Sequence, residues 1–302
     1  MSETDVVIVA YNSADTLRAC VEPLARDPSL SLVVVDNASS DDGARTVADL
    51  DVNLLGSTRN LGFAGGCNLG WRSGTSPFVV FVNPDVRAVP DDLLRLADAL
   101  HDPEVGVAAP RILNDDGSVQ HSQHRFPSLR SSWLQAVFLH RALGGSSWAN
   151  EDVVEPGAYE RAGSPDWVGG ACIALRRDTL ELLDGFDERF FMYCEDMDLC
   201  RRTRDLGLRV EYRPTATIFH TGGVSAPRPQ RMEMLTRSRV LYAARFDPGL
   251  RYGLFVAALA LGLALRAALD RRHRGVHLGG LRGLARGVAE VRRAAGAGRP
   301  AS

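Results

Sequence analysis

A chain of 302 residues, 45% hydrophobic and 24% charged, is long enough to bury a full core and has the make-up of an ordinary soluble globular protein. Its net charge of −2 lacks the basic excess of a nucleic-acid binder, so no nucleic-acid partner is expected. Every one of the 35 basic residues is Arg, and residues 266–302 hold nine of them against Asp270 and Glu290, a formal +7 that leaves −9 on the first 265 residues. Five scattered Cys without a CxxC pair read as reduced thiols rather than a zinc site. The start of the chain lacks a charged segment followed by a cleavable apolar run, so the main body is expected to stay in the cytoplasm.

In chain order, DVVIVAY (5–11) reads as a buried strand, followed by a helix from Ser13 to about Ala25 that Ser13 or Asp15 would cap. SLVVVDN (31–37) is a second strand, and SSDDGARTVADL a capped helix. VNLLGS (52–57) is a third strand; a Gly-rich turn then opens helix 64–73, and PFVVFVNPD (77–85) is a fourth strand. Continuous apolar runs alternating with helices predict a Rossmann-like, mostly parallel α/β sheet covered on both faces, with ligands beyond the carboxyl ends of its strands. Those ends carry Tyr11-Asn12, Asp36-Asn37 and Asn83-Pro84-Asp85, a set suited to a polar ligand. Neither GxGxxG nor GxxxxGK[ST] is present, so a nucleotide would be held differently, plausibly through a divalent cation on its phosphates with Asp85 as a hard oxygen ligand.

Beyond residue 105 the pattern loosens. Asp115-Asp116-Gly117 marks a hairpin; His121 and His124, with no acid close in sequence, read as ordinary surface residues. SSWLQAVFLHRAL is read as one helix, 144–165 as a mobile loop, and WVGGACIALRR (167–177) as a strand in which Gly169-Gly170 signals a bulge or a close backbone approach. DTLELLDG is a helix stopped by Gly. FFMYCEDMDLCRR (190–202) then sets three carboxylates behind an aromatic run. Glu195 and Asp196 fall in the first turn of a helix, where the macrodipole favours acids; Asp198 and Arg202 are spaced i,i+4 as a surface pair. Partial burial and a like-charged neighbour would raise a carboxyl pKa, as suits a general base.

VVIVAYN, VVVDNASSD, NLGFAGGCN, VNPD, WVGGA, FFMYCEDMDLCRR and IFHTGG, in this order over roughly residues 4–245, resemble bacterial family 2 glycosyltransferases, most closely the rhamnosyltransferase-like branch. The resemblance implies a GT-A fold over 1–245, with a nucleotide-sugar half (about 1–100) and an acceptor half (about 101–245). It also implies inverting transfer of a sugar, rhamnose from dTDP-rhamnose for preference, from a dTDP- or UDP-linked donor to a glycan or polyprenyl-linked acceptor in cell-envelope polysaccharide synthesis. On that analogy Tyr11, Asn12 and Asp36 contact base and ribose, Asn60, Asn68 and Asn83 line the donor pocket, and Asp85 with His220 serves a Mg²⁺ or Mn²⁺ ion. Trp167, Gly169 and Gly170 line the acceptor side, Asp196 is the base, and Glu195 is its partner. Asn83 stands where many members carry the first Asp of a DxD motif, one charge fewer for the metal. A catalytically silent sugar-nucleotide binder of the same fold is the rival reading. A nucleotidyltransferase would need an N-terminal Gly-rich loop with basic residues, which the chain lacks.

Residues 246–302 form a helical tail. Its thirteen-residue apolar run Gly253–Leu265 falls short of the roughly 20 residues that cross a bilayer. The Arg-rich segment that follows, with Leu278, Leu281, Leu284 and Val288 at helical spacing, suggests peripheral binding to the anionic inner face of the cell membrane. Packing of the same helix on the domain is the alternative.

Overall fold

In a computed structural model, which describes residues 3–143, 148–222 and 227–297, the four apolar runs become β1 (Thr4–Ala10), β2 (Leu30–Asp36), β3 (Asn53–Gly56) and β4 (Phe78–Val82). Their connections carry α1 (Ala14–Leu24), a short 3₁₀ turn at Gly43–Val47, and α2 (Gly62–Trp71). Next come β5 (Val86–Arg87), α3 (Pro90–Ala99), β6 (Val105–Leu113), β7 (Gln123–His124), α4 (Leu129–Ala136), α5 (Leu139–Ala142), β8 (Trp167–Val168) and β9 (Cys172–Arg176). The chain ends with α6 (Arg177–Leu183), α7 (Glu195–Asp205), β10 (Arg209–His220), α8 (Arg228–Phe246), α9 (Leu250–Leu269) and α10 (Arg274–Gly296).

Eight strands form one sheet in the order β3-β2-β1-β4-β9-β6-β10-β5; β7 and β8 pair separately. The β3-β2-β1-β4 half is parallel, β9 runs antiparallel between β4 and β6, and β6 and β10 are again parallel. Alternate residues feed two cores. Val6 and Ile8 join Leu17 and Val21 of α1 and Leu93 and Leu96 of α3 on one face, while Val7 and Val9 join Ala64 and Trp71 of α2 and Leu199 of α7 on the other. Burial on both faces is why these strands read as unbroken apolar runs. Close approach of α2 to the sheet requires glycine: a Cβ at Gly66 would lie 2.5 Å from Val9 Cγ1, and one at Gly70 would overlap Val7.

Several local expectations shift. The segment after β2 makes only a 3₁₀ turn because Asp41 is drawn away: its carboxylate accepts from Ala14 N at 2.9 Å, capping α1 in place of Ser13, and from Gly43 N at 3.1 Å. The helix expected over SSWLQAVFLHRAL divides into α4 and α5 at Phe138, whose φ of 64° interrupts helical geometry. WVGGACIALRR divides at Gly169-Gly170 into β8 and β9. Of the loop expected at 144–165, residues 144–147 lie outside the described residues; the remainder includes a 3₁₀ turn at Pro156–Tyr159 with Tyr159 buried.

The chain forms two compact units that are not consecutive in sequence. The sheet and its covering helices are one. The other joins Phe126–Glu151 and Phe190–Cys194 to the helices from α8 onward. Within this helical unit α10 meets α8 along a glycine stripe: a Cβ at Gly279 or Gly283 would overlap the carbonyls of Pro229 or Glu233. Arg237 pairs with Glu290 at 2.7 Å, and Arg282 and Arg286 both reach Glu233. Arg266 of α9 donates to Gln135 O at the end of α4 (2.8 Å). α9 is 20 residues long with a mean hydropathy of 1.9, long and apolar enough by length and composition to cross a membrane; the thirteen-residue run underestimates it because Leu250–Tyr252 and Arg266–Leu269 extend the helix. Residues 298–302 of the tail lie outside the described residues.

A deeply buried ion pair of the sheet unit fixes the lower edge. Asp5, 1% exposed, accepts from Arg177 Nη2 (2.6 Å), Ser76 N (3.0 Å) and Ser76 Oγ (2.8 Å), and Arg177 also donates to Ser76 O and Trp71 O. Asp5→Ala leaves this guanidinium buried without its counter-charge and should cost about 3–5 kcal/mol in urea unfolding. Arg26→Ala, which opens only the exposed pair with Glu22, should cost less than about 1 kcal/mol. Equal losses would refute the ranking.

Candidate active site

At the carboxyl edge of the parallel strands the amides are partly committed to building the edge itself. Asn12, with φ of 51°, accepts from Ser40 N (2.8 Å) and Ser40 Oγ (3.0 Å), tying the loop after β1 to the loop after β2. Asp36 Oδ1 accepts from Ser39 N at 3.0 Å. Buried Asn37 donates to Asn60 Oδ1 and Gly62 O and accepts from Leu61 N, holding the start of α2; Asn60 Oδ1 accepts from Gly62 N as well. Tyr11 and Asn83 sit half-buried at the ends of β1 and β4.

Asn68 does not line a pocket. It is 2% exposed and spends its whole capacity internally, donating to Phe186 O (2.8 Å) and Glu188 Oε1 (3.0 Å) and accepting from Phe186 N (2.9 Å) and Trp71 Nε1 (3.1 Å). Its work is to fasten the loop after α6 to α2.

Asp85 and His220 are brought together. The antiparallel β5–β10 pair places His220 opposite Val86, and His220 Nε2 lies 3.3 Å from Asp85 Oδ1, with the side chains 17% and 10% exposed. Gln120 Oε1, 3.1 Å from Nδ1, accepts the ring N–H, its amide nitrogen being occupied by Asn114 Oδ1 and His220 O. Nε2 is left facing a carboxylate oxygen, a nitrogen and an oxygen of the kind that a divalent cation takes as ligands. Gly223 of the IFHTGG motif lies outside the described residues.

The three acids in the first turn of α7 are all withdrawn from water to some degree, each managed differently. Asp198 is fully buried, not on the surface as expected, and Arg202 Nε meets it at 2.7 Å while donating to Leu183 O and Gly185 O. Glu195 is 6% exposed and its Oε2 has no hydrogen-bond partner among the described residues. Burial first, and the neighbouring Asp196 second, push its pKa well up, so the neutral acid is favoured. Asp196 is half-buried. Burial raises its pKa too, but N–H donors from Gly170 (2.8 Å to Oδ2) and Met197 (2.8 Å to Oδ1) and the nearby His124 oppose the rise. Of the pair, Asp196 is the one equipped to be ionised.

His124 is not an ordinary surface residue. Its Nδ1 lies 2.9 Å from Asp152 Oδ1, its ring stacks on Trp167 with centroids 4.1 Å apart, and its side chain is 14% exposed. The acid partner comes from 28 residues away, beyond what sequence proximity could reveal. His121 does stay exposed. Trp167 donates Nε1 to Arg125 O, and Gly169 and Gly170 follow it into the turn that anchors Asp196. All five Cys are buried and reduced. Burial drives the Cys20 and Cys200 thiols up to about 12, which makes them packing groups rather than nucleophiles.

The family model for glycosyl transferase family 2 matches residues 5–148. Over 257 residues the chain is 29% identical to the N-acetylglucosaminyl-diphospho-decaprenol L-rhamnosyltransferase of Mycobacterium tuberculosis, covering 78% of this chain and 82% of the relative. It is 26% identical over 226 residues to rhamnosyltransferase WbbL of Escherichia coli K12, covering 71% and 82%. A mannosyltransferase from Pyrobaculum calidifontis, solved with GDP-Man and Mn²⁺, shares the fold with a TM-score of 0.55 at 17% identity, covering 95% of this chain and 87% of that one. From these matches and the sheet order, residues 5–148 match the family 2 glycosyl transferase domain, the fold is GT-A, and the chain is a glycosyltransferase.

Proposed function

We propose that the enzyme is an inverting rhamnosyltransferase that moves rhamnose, dTDP-rhamnose being the favoured donor, to a polyprenyl-linked or other glycan acceptor in cell-envelope polysaccharide synthesis. The names of the two rhamnosyltransferase relatives support the sugar. The observation that carries the inverting chemistry is the division of labour among the carboxylates, with one ionisable acid on α7 and a separate Asp–His pair at the sheet edge.

Asp196 takes the proton of the acceptor hydroxyl as its oxygen bonds to the anomeric carbon, and the bond from that carbon to the diphosphate oxygen breaks, its electron pair leaving with the nucleotide. Glu195, neutral, spares Asp196 a second negative neighbour. Tyr11, Asn12 and Asp36 face the nucleoside, Asn60 and Asn83 flank the donor, and Trp167, Gly169 and Gly170 border the acceptor. Asp85 and His220 fit a divalent cation, Mg²⁺ or Mn²⁺, as two of its ligands. Among the described residues no third His, Cys, Asp or Glu joins them, leaving other positions for water and phosphate oxygens. Such an ion, when bound, neutralises charge on the departing diphosphate.

Exposed Arg271 and Arg272 in the turn before α10, Arg274, Arg292 and Arg293 of α10, and exposed Leu250, Leu254 and Leu269 of α9 support a peripheral location on the inner face of the membrane.

Asp196→Asn should bind donor normally yet lose roughly 10²–10⁴-fold in turnover. Near-normal turnover of this variant together with a dead Glu195→Gln would exchange their roles. In calorimetry, EDTA and Asp85→Ala should each abolish donor binding; tight binding in EDTA would remove the metal role from Asp85. The full-length chain should co-sediment with anionic vesicles far more than with neutral ones, and less at 1 M salt, where the Debye length is about 3 Å. Indifference to anionic lipid would refute the membrane reading.

A further inference from the structure

The β7–β8 ribbon, of which the sequence pattern predicts only the β8 half, is built tightly around one imidazole. The main chain of His124 bridges to Asp152, its carbonyl accepts from Asp166 N at 3.1 Å, and Gly169 N donates to Ser122 O at 3.0 Å. Buried Tyr159 braces the same strand by accepting from Gln123 N (3.2 Å). The ring is then fixed twice more, by Asp152 on Nδ1 and by Trp167 on its face, 22° from parallel. Its other nitrogen faces Gly169: a Cβ there would sit 4.0 Å from Nε2. The next residue, Gly170, holds Asp196, and a Cβ there would crowd Asp196 Cβ at 3.2 Å and Oδ2 at 3.3 Å. The imidazole edge and the carboxylate thus flank consecutive glycines of one turn.

We propose that His124, clamped by Asp152 and Trp167, is a positioning residue for the base, its imidazole set beside Gly169-Gly170 so as to favour and aim the Asp196 carboxylate within an acid-rich helix turn. The proposal rests on Asp196 being the base. The surroundings leave this task to His124. On α7, Asp196 has Glu195 and Asp198 as neighbours, both unfavourable to a further negative charge, and the Cys200 thiol, which burial keeps protonated. Arg202 is spent on Asp198, and Arg204 bears on Cys200. From α2 comes the Cys67 thiol, also driven up by burial, beside Glu195. From β7 comes His124, which opposes the rise in the Asp196 pKa, and behind it Asp152, 2.9 Å from its Nδ1.

The test is the pH profile of kcat/KM. Removing the imidazole favours protonated Asp196, so His124→Gln should move the acid limb to higher pH, with about a tenfold loss on that limb, while the plateau above it stays within a few-fold of wild type. His124→Arg, which supplies a positive charge, should return the limb toward its original place, and Asp152→Asn should displace it in the same direction as His124→Gln. A uniform loss at all pH values, or an unmoved limb, would overturn the proposal and leave His124 a packing residue. If thermal melting shows His124→Gln unfolded, the limb of Asp152→Asn decides in its place. Asp196→Asn, run alongside, separates the two levels: wild-type turnover in that variant would remove the base reading itself, whereas a dead Asp196→Asn with an unmoved His124→Gln limb would remove only this proposal.

Discussion

Withdrawing three carboxylates of one helix turn from water is the constraint around which the surroundings of α7 are arranged. Carboxylates this close cannot all be ionised in a low-dielectric setting without compensation. Each of the three is compensated by a different device, and each device shapes something else. The guanidinium that neutralises Asp198 also ties the α6–α7 loop by its carbonyls at Leu183 and Gly185. Glu195 is favoured as the neutral acid. Asp196 keeps access to solvent and takes two main-chain N–H donors, the arrangement that best preserves an ionised oxygen. A helix that began as an electrostatic liability ends with a single usable acid.

The sheet edge follows a related economy. Its amides divide into those that build the edge and those that remain available on it. Asn37 and Asn68 are consumed in fastening α2, with Asn68 reaching across 118 residues to Phe186. Asn60 is half committed through its carbonyl oxygen, and Asp36 gives one oxygen to Ser39 N. Fixing the loops internally lets the polar groups left over be presented on a rigid frame, with little ordering cost left to binding.

The helical unit shows the same use of small residues for close approach. The glycines at 279, 283 and 287 bring α10 against α8 at a distance no side chain would permit, Gly280 does the same toward Leu263 of α9, and flanking Arg–Glu pairs set the register. The Arg-rich tail is thus a structured helix with one face committed to α8 and its remaining Arg on the outside.

Much of this was legible from the residues alone. Unbroken apolar runs specified the parallel strands, because a strand covered on both faces has no polar side to alternate with. Polar residues at strand ends marked the polar carboxyl edge of the sheet, and the acids behind Phe190–Tyr193 marked the start of α7. Local patterns settle local matters: period, caps and turns act over a few residues. What only the tertiary structure decided was the employment of each polar group. Asn68 as a fastener, Asp41 as the cap of α1, Asp198 as a buried counter-ion and His124 as the partner of Asp152 all depend on hydrogen bonds or burial set by segments distant in sequence. A polar side chain states its donors and acceptors in the sequence, but which of them remain for a ligand is known only after folding has claimed the rest.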